Sequence, residues 1–342
     1  MDISKLVRQN VLKMKAYSSA RDEFSGSEGV FLDANENPNN NGVNRYPDPF
    51  QSQLKHAIGS QKSIDTKNIF IGNGSDEVLD LIFRAFCEPK LDNIVLTAPS
   101  YGMYKVLANL NDISIKEVLY EEDFTLDADK IIQAVNEQTK LIILCSPNNP
   151  TGNCIDEKII EKILESTNCL VLIDEAYVDF SEKPSNINLL GKYTQLIISQ
   201  TLSKFYGMAG LRLGICFANE EIVAILSKIK PPYNINILSQ NKAIELLKKN
   251  RDDYRNEVIK ERKKLIEALS LLSLTVKIYP SEANFILVKI TDADSVYNQL
   301  LKRKIIIRNR TNEVLCKNCV RITIGSPEEN ELLIEALKEI DS

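Results

Sequence analysis

The sequence predicts an α/β protein: a large domain with a mostly parallel central sheet flanked by helices, plus a smaller α+β domain. Three observations carry this. Between residues 68 and 217, short β-branched runs alternate with amphipathic stretches, as when crossover helices link parallel strands. The runs are apolar throughout rather than alternating, which suits strands covered on both faces. After Pro231-Pro232 the texture changes to long, charged amphipathic segments. Neither proline can continue a helix interior, so the pair marks a hinge. The expected division is 30–230 for the large domain, and 1–29 with 231–342 for the small domain and its N-terminal arm.

In chain order, a strand at 68–71 precedes a helix at 75–86, and a strand at 93–96 precedes a helix at 101–110. A strand at 140–145 precedes a helix at 156–164. Strands at 169–173, 195–199 and 212–217 follow. Beyond the hinge, helices are expected at 235–249 and 251–272, strands at 274–278 and 285–290, and a helix at 295–302. Strands at 304–307 and 320–324 and a helix at 328–340 close the chain.

The 342 residues allow about two domains at roughly 150 residues each. Forty-two Lys and Arg against 47 Asp and Glu leave a net charge of −5. A mildly acidic surface has no general attraction for nucleic acid or anionic lipid. The longest apolar runs are strand-sized, and residues 1–5 do not open a secretory signal. Seven cysteines, most within apolar runs, suit reduced thiols and a cytoplasmic protein. His56 is the single histidine and lies on a polar segment. That argues against a histidine triad or a multi-histidine metal site, and no metal is expected. An enzyme of this composition would draw its acid–base group from Lys, Asp, Glu or Tyr.

Ligands of open α/β sheets bind beyond the carboxyl ends of the strands, so the residues there are the site candidates. Ile71 is followed by Gly72-Asn73-Gly74-Ser75-Asp76-Glu77 and a helix. The glycines allow close backbone approach, Ser75 or Asp76 can cap the helix, and its free N–H groups form an anion site. The strand at 140–145 runs into Ser146-Pro147-Asn148-Asn149-Pro150-Thr151-Gly152, which also reads as a plain turn. Asp174, in Asp174-Glu175-Ala176-Tyr177, sits at a strand tip, where it can face a crevice or simply cap a helix. Ser199-Gln200-Thr201-Leu202-Ser203-Lys204 precedes a glycine-broken loop that reaches Arg212. A lysine alone in such a place is usually a surface residue; the segment as a whole says more. Pyridoxal phosphate needs this set: a lysine for a Schiff base, an acid against the pyridinium nitrogen, a phosphate cradle and donors to the ring oxygen.

On the 146–152 and 173–177 words, with Ser203-Lys204-Phe205 and Gly210-Leu211-Arg212-Leu213-Gly214, the chain resembles the fold-type I, pyridoxal-phosphate-dependent aminotransferases of the aspartate aminotransferase superfamily. Four more segments narrow the resemblance. They are Leu32-Asp33-Ala34-Asn35-Glu36-Asn37-Pro38, Arg45-Tyr46-Pro47-Asp48-Pro49, the 72–77 word and Arg321-Ile322-Thr323-Ile324-Gly325. They are similar to the histidinol-phosphate aminotransferase family, from about Tyr17 to the C-terminal helix.

The resemblance implies that Lys204 binds the cofactor aldehyde and shuttles the proton, with Asp174 against the pyridine nitrogen. It implies that Asn149 and Tyr177 hold the ring oxygen and that Tyr101 stacks on the ring. Gly74, Ser75, Asp76, Thr201, Ser203 and Arg212 would cradle the phosphate, Asp76 through its backbone N–H. Tyr46 would reach the phosphate in the partner's site, making the active unit a homodimer. Tyr17, Asn35, Arg308 and Arg321 would bind the substrates, L-histidinol phosphate and 2-oxoglutarate or glutamate; Arg310 competes with Arg308 for its role. Cys316-Lys317-Asn318-Cys319 is a lone CxxC pair and reads as structural. Alternatives on the same cofactor shell are a threonine-phosphate-type decarboxylase and an aromatic aminotransferase. A non-catalytic regulator would lack the need for Lys204, and the chain has no appended helix-turn-helix segment.

Overall fold

The computed structural model describes residues 1–17 and 29–342. It opens with a short helix α1 (Gln9–Lys13), followed by α2 (Ser52–Lys62). Then come β1 (Ile69–Asn73), α3 (Ser75–Phe86), β2 (Asn93–Ala98), α4 (Met103–Leu110), β3 (Ser114–Leu119) and α5 (Ala128–Ala134). Next are β4 (Thr139–Cys145), α6 (Glu157–Ser166), β5 (Leu170–Asp174), β6 (Leu196–Thr201), β7 (Leu213–Ala218) and α7 (Glu220–Ile229). The chain continues through α8 (Ile237–Leu247), α9 (Asp252–Ser270), β8 (Thr275–Ile278) and β9 (Phe285–Ile290). It ends with α10 (Ala293–Lys302), β10 (Arg308–Asn309), β11 (Cys319–Thr323) and α11 (Pro327–Asp341).

Seven strands form the first sheet, in the order β1-β7-β6-β5-β4-β2-β3. All neighbours run parallel except β7, which is antiparallel to both β1 and β6. Both faces are covered, which explains the continuous apolar runs. Along β4, Ile142 and Leu144 join the core on one face, and Leu141 and Ile143 join the core on the other. The second sheet, β10-β11-β9-β8, is antiparallel throughout. Its buried Phe285, Leu287 and Val320 belong to the same apolar cluster as Ile142 and Leu144.

The termini of the elements follow local chemistry. Asp127, Asp156, Asn219, Asn236 and Asp292 cap α5, α6, α7, α8 and α10 through side-chain oxygens. Ser326 and Glu329 form a reciprocal capping box at α11. His56 lies on the exposed side of α2.

The structure differs from the sequence reading in a few places. Strand β3 and helices α2, α5 and α7 add to the elements expected. The expected strand at 304–307 lies too early: pairing with β11 begins at Arg308. Ile3, Val7 and Val11 bury in the cluster built on α3 and α7, and the Arg8 N–H donates to the Ala85 carbonyl. Residues 1–14 thus pack on the large sheet, whereas the sequence reading groups 1–29 with the C-terminal segment.

Candidate active site

Parallel pairing brings the carboxyl ends of β4, β5 and β6 to one edge, with Cys145 opposite Asp174 and Asp174 opposite Ser199. The end of β1 meets the start of β7 there, Asn73 opposite Leu213. These ends line a cleft formed by Ser75, Asp76, Tyr101, Cys145, Asn149, Asp174, Ala176, Tyr177, Thr201, Ser203, Lys204, Ala209 and Arg212.

Asp174 is the last residue of β5 and is 3% exposed. Its Oδ2 accepts from the Tyr104 hydroxyl at 2.6 Å and its Oδ1 from the Ala176 N–H at 3.0 Å. Burial pushes its pKa up to about 6, against the pull of those two bonds. Among the described residues no cation pairs with this carboxylate. The next residue behaves differently. Glu175 is also buried, but accepts from the Ser185 hydroxyl, the Asn186 N–H and amide and the Gln200 amide. Glu175 is a satisfied structural anchor; Asp174 faces the cleft.

The anion cradle sits at the start of α3. The sequence reading has Ser75 or Asp76 as the cap; instead the cap residue is Gly74, at φ +82°, with no side-chain cap bond. The glycine's conformation opens the first-turn N–H groups toward the cleft, and their positive end suits an anion. Gly214 on β7 makes the approach possible: a Cβ there would lie 2.2 Å from the Ser75 nitrogen. Arg212 flanks the cradle at 3.6 Å from Asp76. That pair is half exposed, so its stabilising contribution is small. The Thr201 hydroxyl accepts from the Ser203 N–H at 3.1 Å and sets the bend after β6.

Lys204 follows that bend, with its Nζ 5.9 Å from the Tyr177 ring centre. Its amine is held below the ordinary lysine value, first by removal from water and then by the charges of Arg321 and Arg212. Asp174 and Asp76 act the other way. Tyr177 is buried, and Asn149 Nδ2 donates to its hydroxyl at 3.5 Å. Arg321, on β11, donates from Nη1 to Asn149 Oδ1 at 2.5 Å. That bond links the small sheet to the cleft. Arg321 also lies 5.2 Å from the Phe285 ring centre. Tyr101 meets Tyr104 edge-on and donates to Asp76 at 3.4 Å. Its phenol is pushed up to about 12, chiefly by burial and then by Asp76 and Asp174.

The cleft thus collects Ser75, Asp76, Tyr101, Asn149, Asp174, Tyr177, Thr201, Ser203, Lys204 and Arg212, with Gly74 and Arg321 adjoining. Arg308 stands opposite Arg321 in the sheet register. Three expected residues lie elsewhere in this chain. Tyr17 is 70% exposed. Asn35 and Tyr46 line a separate groove beside Tyr233, against which the Tyr46 ring stacks at 4.4 Å. The sequence reading missed Tyr104. Its signal was present in the spacing, since Tyr101 and Tyr104 are three residues apart at a helix start and share a side.

This donor set fits pyridoxal phosphate. The buried Asp174 carboxylate lacks a cation, which a pyridinium N–H supplies. The uncapped helix start with Ser75, Ser203 and Arg212 suits a phosphate. The Asn149–Tyr177 pair suits a ring oxygen, and Lys204 brings an amine of lowered pKa.

The comparisons agree. Residues 23–337 match the family described as aminotransferase class I and II. A histidinol-phosphate aminotransferase of Flavobacterium psychrophilum is 53% identical over 342 residues, spanning 99% of each chain. The crystal structure of the histidinol-phosphate aminotransferase from Clostridium acetobutylicum is 28% identical, with a TM-score of 0.80 over 87% of this chain and 91% of that one. The enzyme of that name from Sinorhizobium meliloti, solved with pyridoxal-5′-phosphate, shares the fold at 24% identity, with a TM-score of 0.77 over 86% of this chain and 83% of that one. This chain belongs to the pyridoxal-phosphate-dependent class I and II aminotransferases, in the histidinol-phosphate aminotransferase branch.

Proposed function

We propose that this chain moves the amino group of L-histidinol phosphate to 2-oxoglutarate, reversibly, giving imidazole acetol phosphate and L-glutamate in histidine biosynthesis. One observation carries the reading. A lysine amine of depressed pKa and a buried carboxylate without a cationic partner face one cleft, beside an open helix start.

Bound pyridoxal phosphate supplies an aldehyde for amines and a ring that draws electrons from the substrate α-carbon. The protein does the rest. Asp174 accepts the ring N–H, and Tyr104 and Ala176 hold the carboxylate in place for it. Asn149 and Tyr177 hold the ring oxygen, and Tyr101 covers one ring face. The α3 N–H groups, with Gly74, Ser75, Asp76 through its backbone, Thr201, Ser203 and Arg212, hold the phosphate. Lys204 takes a proton from the substrate α-carbon and returns one on the cofactor side. Its pKa, lowered by burial and by Arg321 and Arg212, eases release of the ammonium proton.

Arg321 and Arg308 bind the substrate phosphate and, in the other half-reaction, the glutamate carboxylate; Tyr17 and Asn35 lie outside their own chain's cleft and would join that space only from the second copy of a dimer. Arginine suits both anions through its planar fork. Tyr46 lies outside its own chain's cleft, and on this reading reaches the phosphate in the second copy of a homodimer. The seven cysteines are free thiols, which suits a reducing cytoplasm. Among the described residues no helix is long and apolar enough to cross a membrane.

The test is a product assay. Loaded protein with L-histidinol phosphate and 2-oxoglutarate should form glutamate with no carbon dioxide. Carbon dioxide from phosphothreonine, without glutamate formation, would establish the decarboxylase instead.

A further inference from the structure

Strand β10 brings a third guanidinium beside Arg321, which reaches the cleft through Asn149. Arg308 stands opposite Arg321, and the Arg310 N–H continues the ladder to the Cys319 carbonyl at 2.8 Å. With a two-residue period, Arg308, Arg310 and Arg321 project from one side of the small sheet. Arg310 is largely enclosed, with 16% of its side chain exposed. Its Nε is shielded from solvent and has no hydrogen-bond partner; the same is true of the Arg321 Nε.

The three cations meet little negative charge. Among the described residues, the one carboxylate within ion-pair distance of any of them is Glu313, 3.5 Å from Arg310. Arg321 is bonded to the neutral amide of Asn149. Arg321 is held below the usual guanidinium range by burial, then by Arg310, with Arg308 a smaller cause. Of the two neighbours, Arg310 therefore acts on Arg321 more strongly. Three guanidiniums against one half-exposed carboxylate leave room for a dianion. A phosphate monoester brings two charges and three acceptor oxygens; a carboxylate brings one charge and two oxygens.

We infer that Arg310 is a specificity-determining residue: it engages the phosphate ester of the amino donor and sets the preference for that substrate over glutamate, which shares the cleft. The inference rests on the transaminase reading. Glu313 holds Arg310 in place while the site lacks phosphate and competes for it when phosphate arrives.

The experiment compares kcat/KM for L-histidinol phosphate and L-glutamate in loaded full-length protein carrying Arg310→Gln, Arg310→Lys or Glu313→Gln. Calorimetric titration with inorganic phosphate runs in parallel. Arg310→Gln should lower the ratio of the two kcat/KM values about tenfold or more and weaken phosphate binding comparably. Arg310→Lys should recover only part of the loss, because an ammonium lacks the fork. Glu313→Gln should move both readouts the opposite way, which a merely structural role for Arg310 would not do. Equal losses for both substrates, or a phosphate affinity within about twofold of wild type in Arg310→Gln, would overturn the inference. Failure of the wild-type protein to exchange amino groups would sink the transaminase reading separately. The phosphate titration would still decide whether Arg310 binds phosphate.

Discussion

The Tyr104 hydroxyl donates to Asp174 Oδ2 across 2.6 Å, and both side chains are buried. This bond lets an unpaired carboxylate persist under the cleft floor. Without it Asp174 would rise above its value of about 6 and hold its proton more tightly. Tyr104→Phe should therefore weaken cofactor retention at neutral pH. The acid limb of retention should move up by about one pH unit, read from the cofactor's visible absorbance.

Asp174 should also cost the cofactor-free protein stability. Its folded pKa of about 6 lies above the unfolded value of 3.8. Between those values the native state binds more protons than the unfolded chain, so stability falls as pH rises from about 4 to about 6 and stays lower above. Asp174→Asn apoprotein should melt a few degrees above wild type at pH 8, with the gap closing below about pH 4, yet lack activity. Thermal melts across pH check this; a lower melting temperature at pH 8 would contradict it.

Glu175→Gln should have the opposite character. The wild-type carboxylate accepts from four donors, and an amide nitrogen would turn a donor toward one of them. The expected loss is about 2–4 kcal/mol of folding stability, with Lys204 chemistry intact in the folded fraction. Denaturant titration beside a cofactor-occupancy measurement separates the two effects.

Gly214→Ala should destabilise the protein by about 1–3 kcal/mol and loosen the cofactor, because its Cβ meets the Ser75 backbone. Neither consequence is visible in the sequence, which presents Gly214 only as one glycine in a loop-to-strand word.

The strands buried on both faces were legible because continuous apolar runs have few other uses. Strand β3 was not, because it lies at the sheet edge and carries Lys116 and Glu117 half exposed. Asp174, Asn149 and Lys204 stood out as candidates by their places at and after strand ends, and the roles expected of them came from the resemblance. The Arg321–Asn149 bond could not, since it joins residues 172 apart and depends on where the small sheet packs. The uncapped start of α3 was misread for a related reason. Ser75 and Asp76 are good capping types, but the turn at Gly74 places them inside the helix.

Mixing two crippled chains tests the dimer. If Tyr46 serves the neighbouring site as proposed, Lys204→Ala and Tyr46→Ala chains should each be poorly active alone. Unfolded and refolded together, they should regain activity, because each mixed dimer holds one site with an intact Lys204 and an intact Tyr46 from its partner. No recovery in a mixture that light scattering places at twice the chain mass would remove Tyr46 from the neighbouring site.

In the proposed reaction, Lys204 and Asp174 work together on the amino group of L-histidinol phosphate. That joint action is tested most directly by the absorbance spectrum of loaded protein before and after that substrate is added without a keto acid. The account predicts loss of the visible band, growth of the shorter-wavelength band of the amine form, and restoration by 2-oxoglutarate. Lys204→Ala should slow the change about a thousandfold or more. A visible band unmoved by L-histidinol phosphate in the wild-type protein would contradict the account.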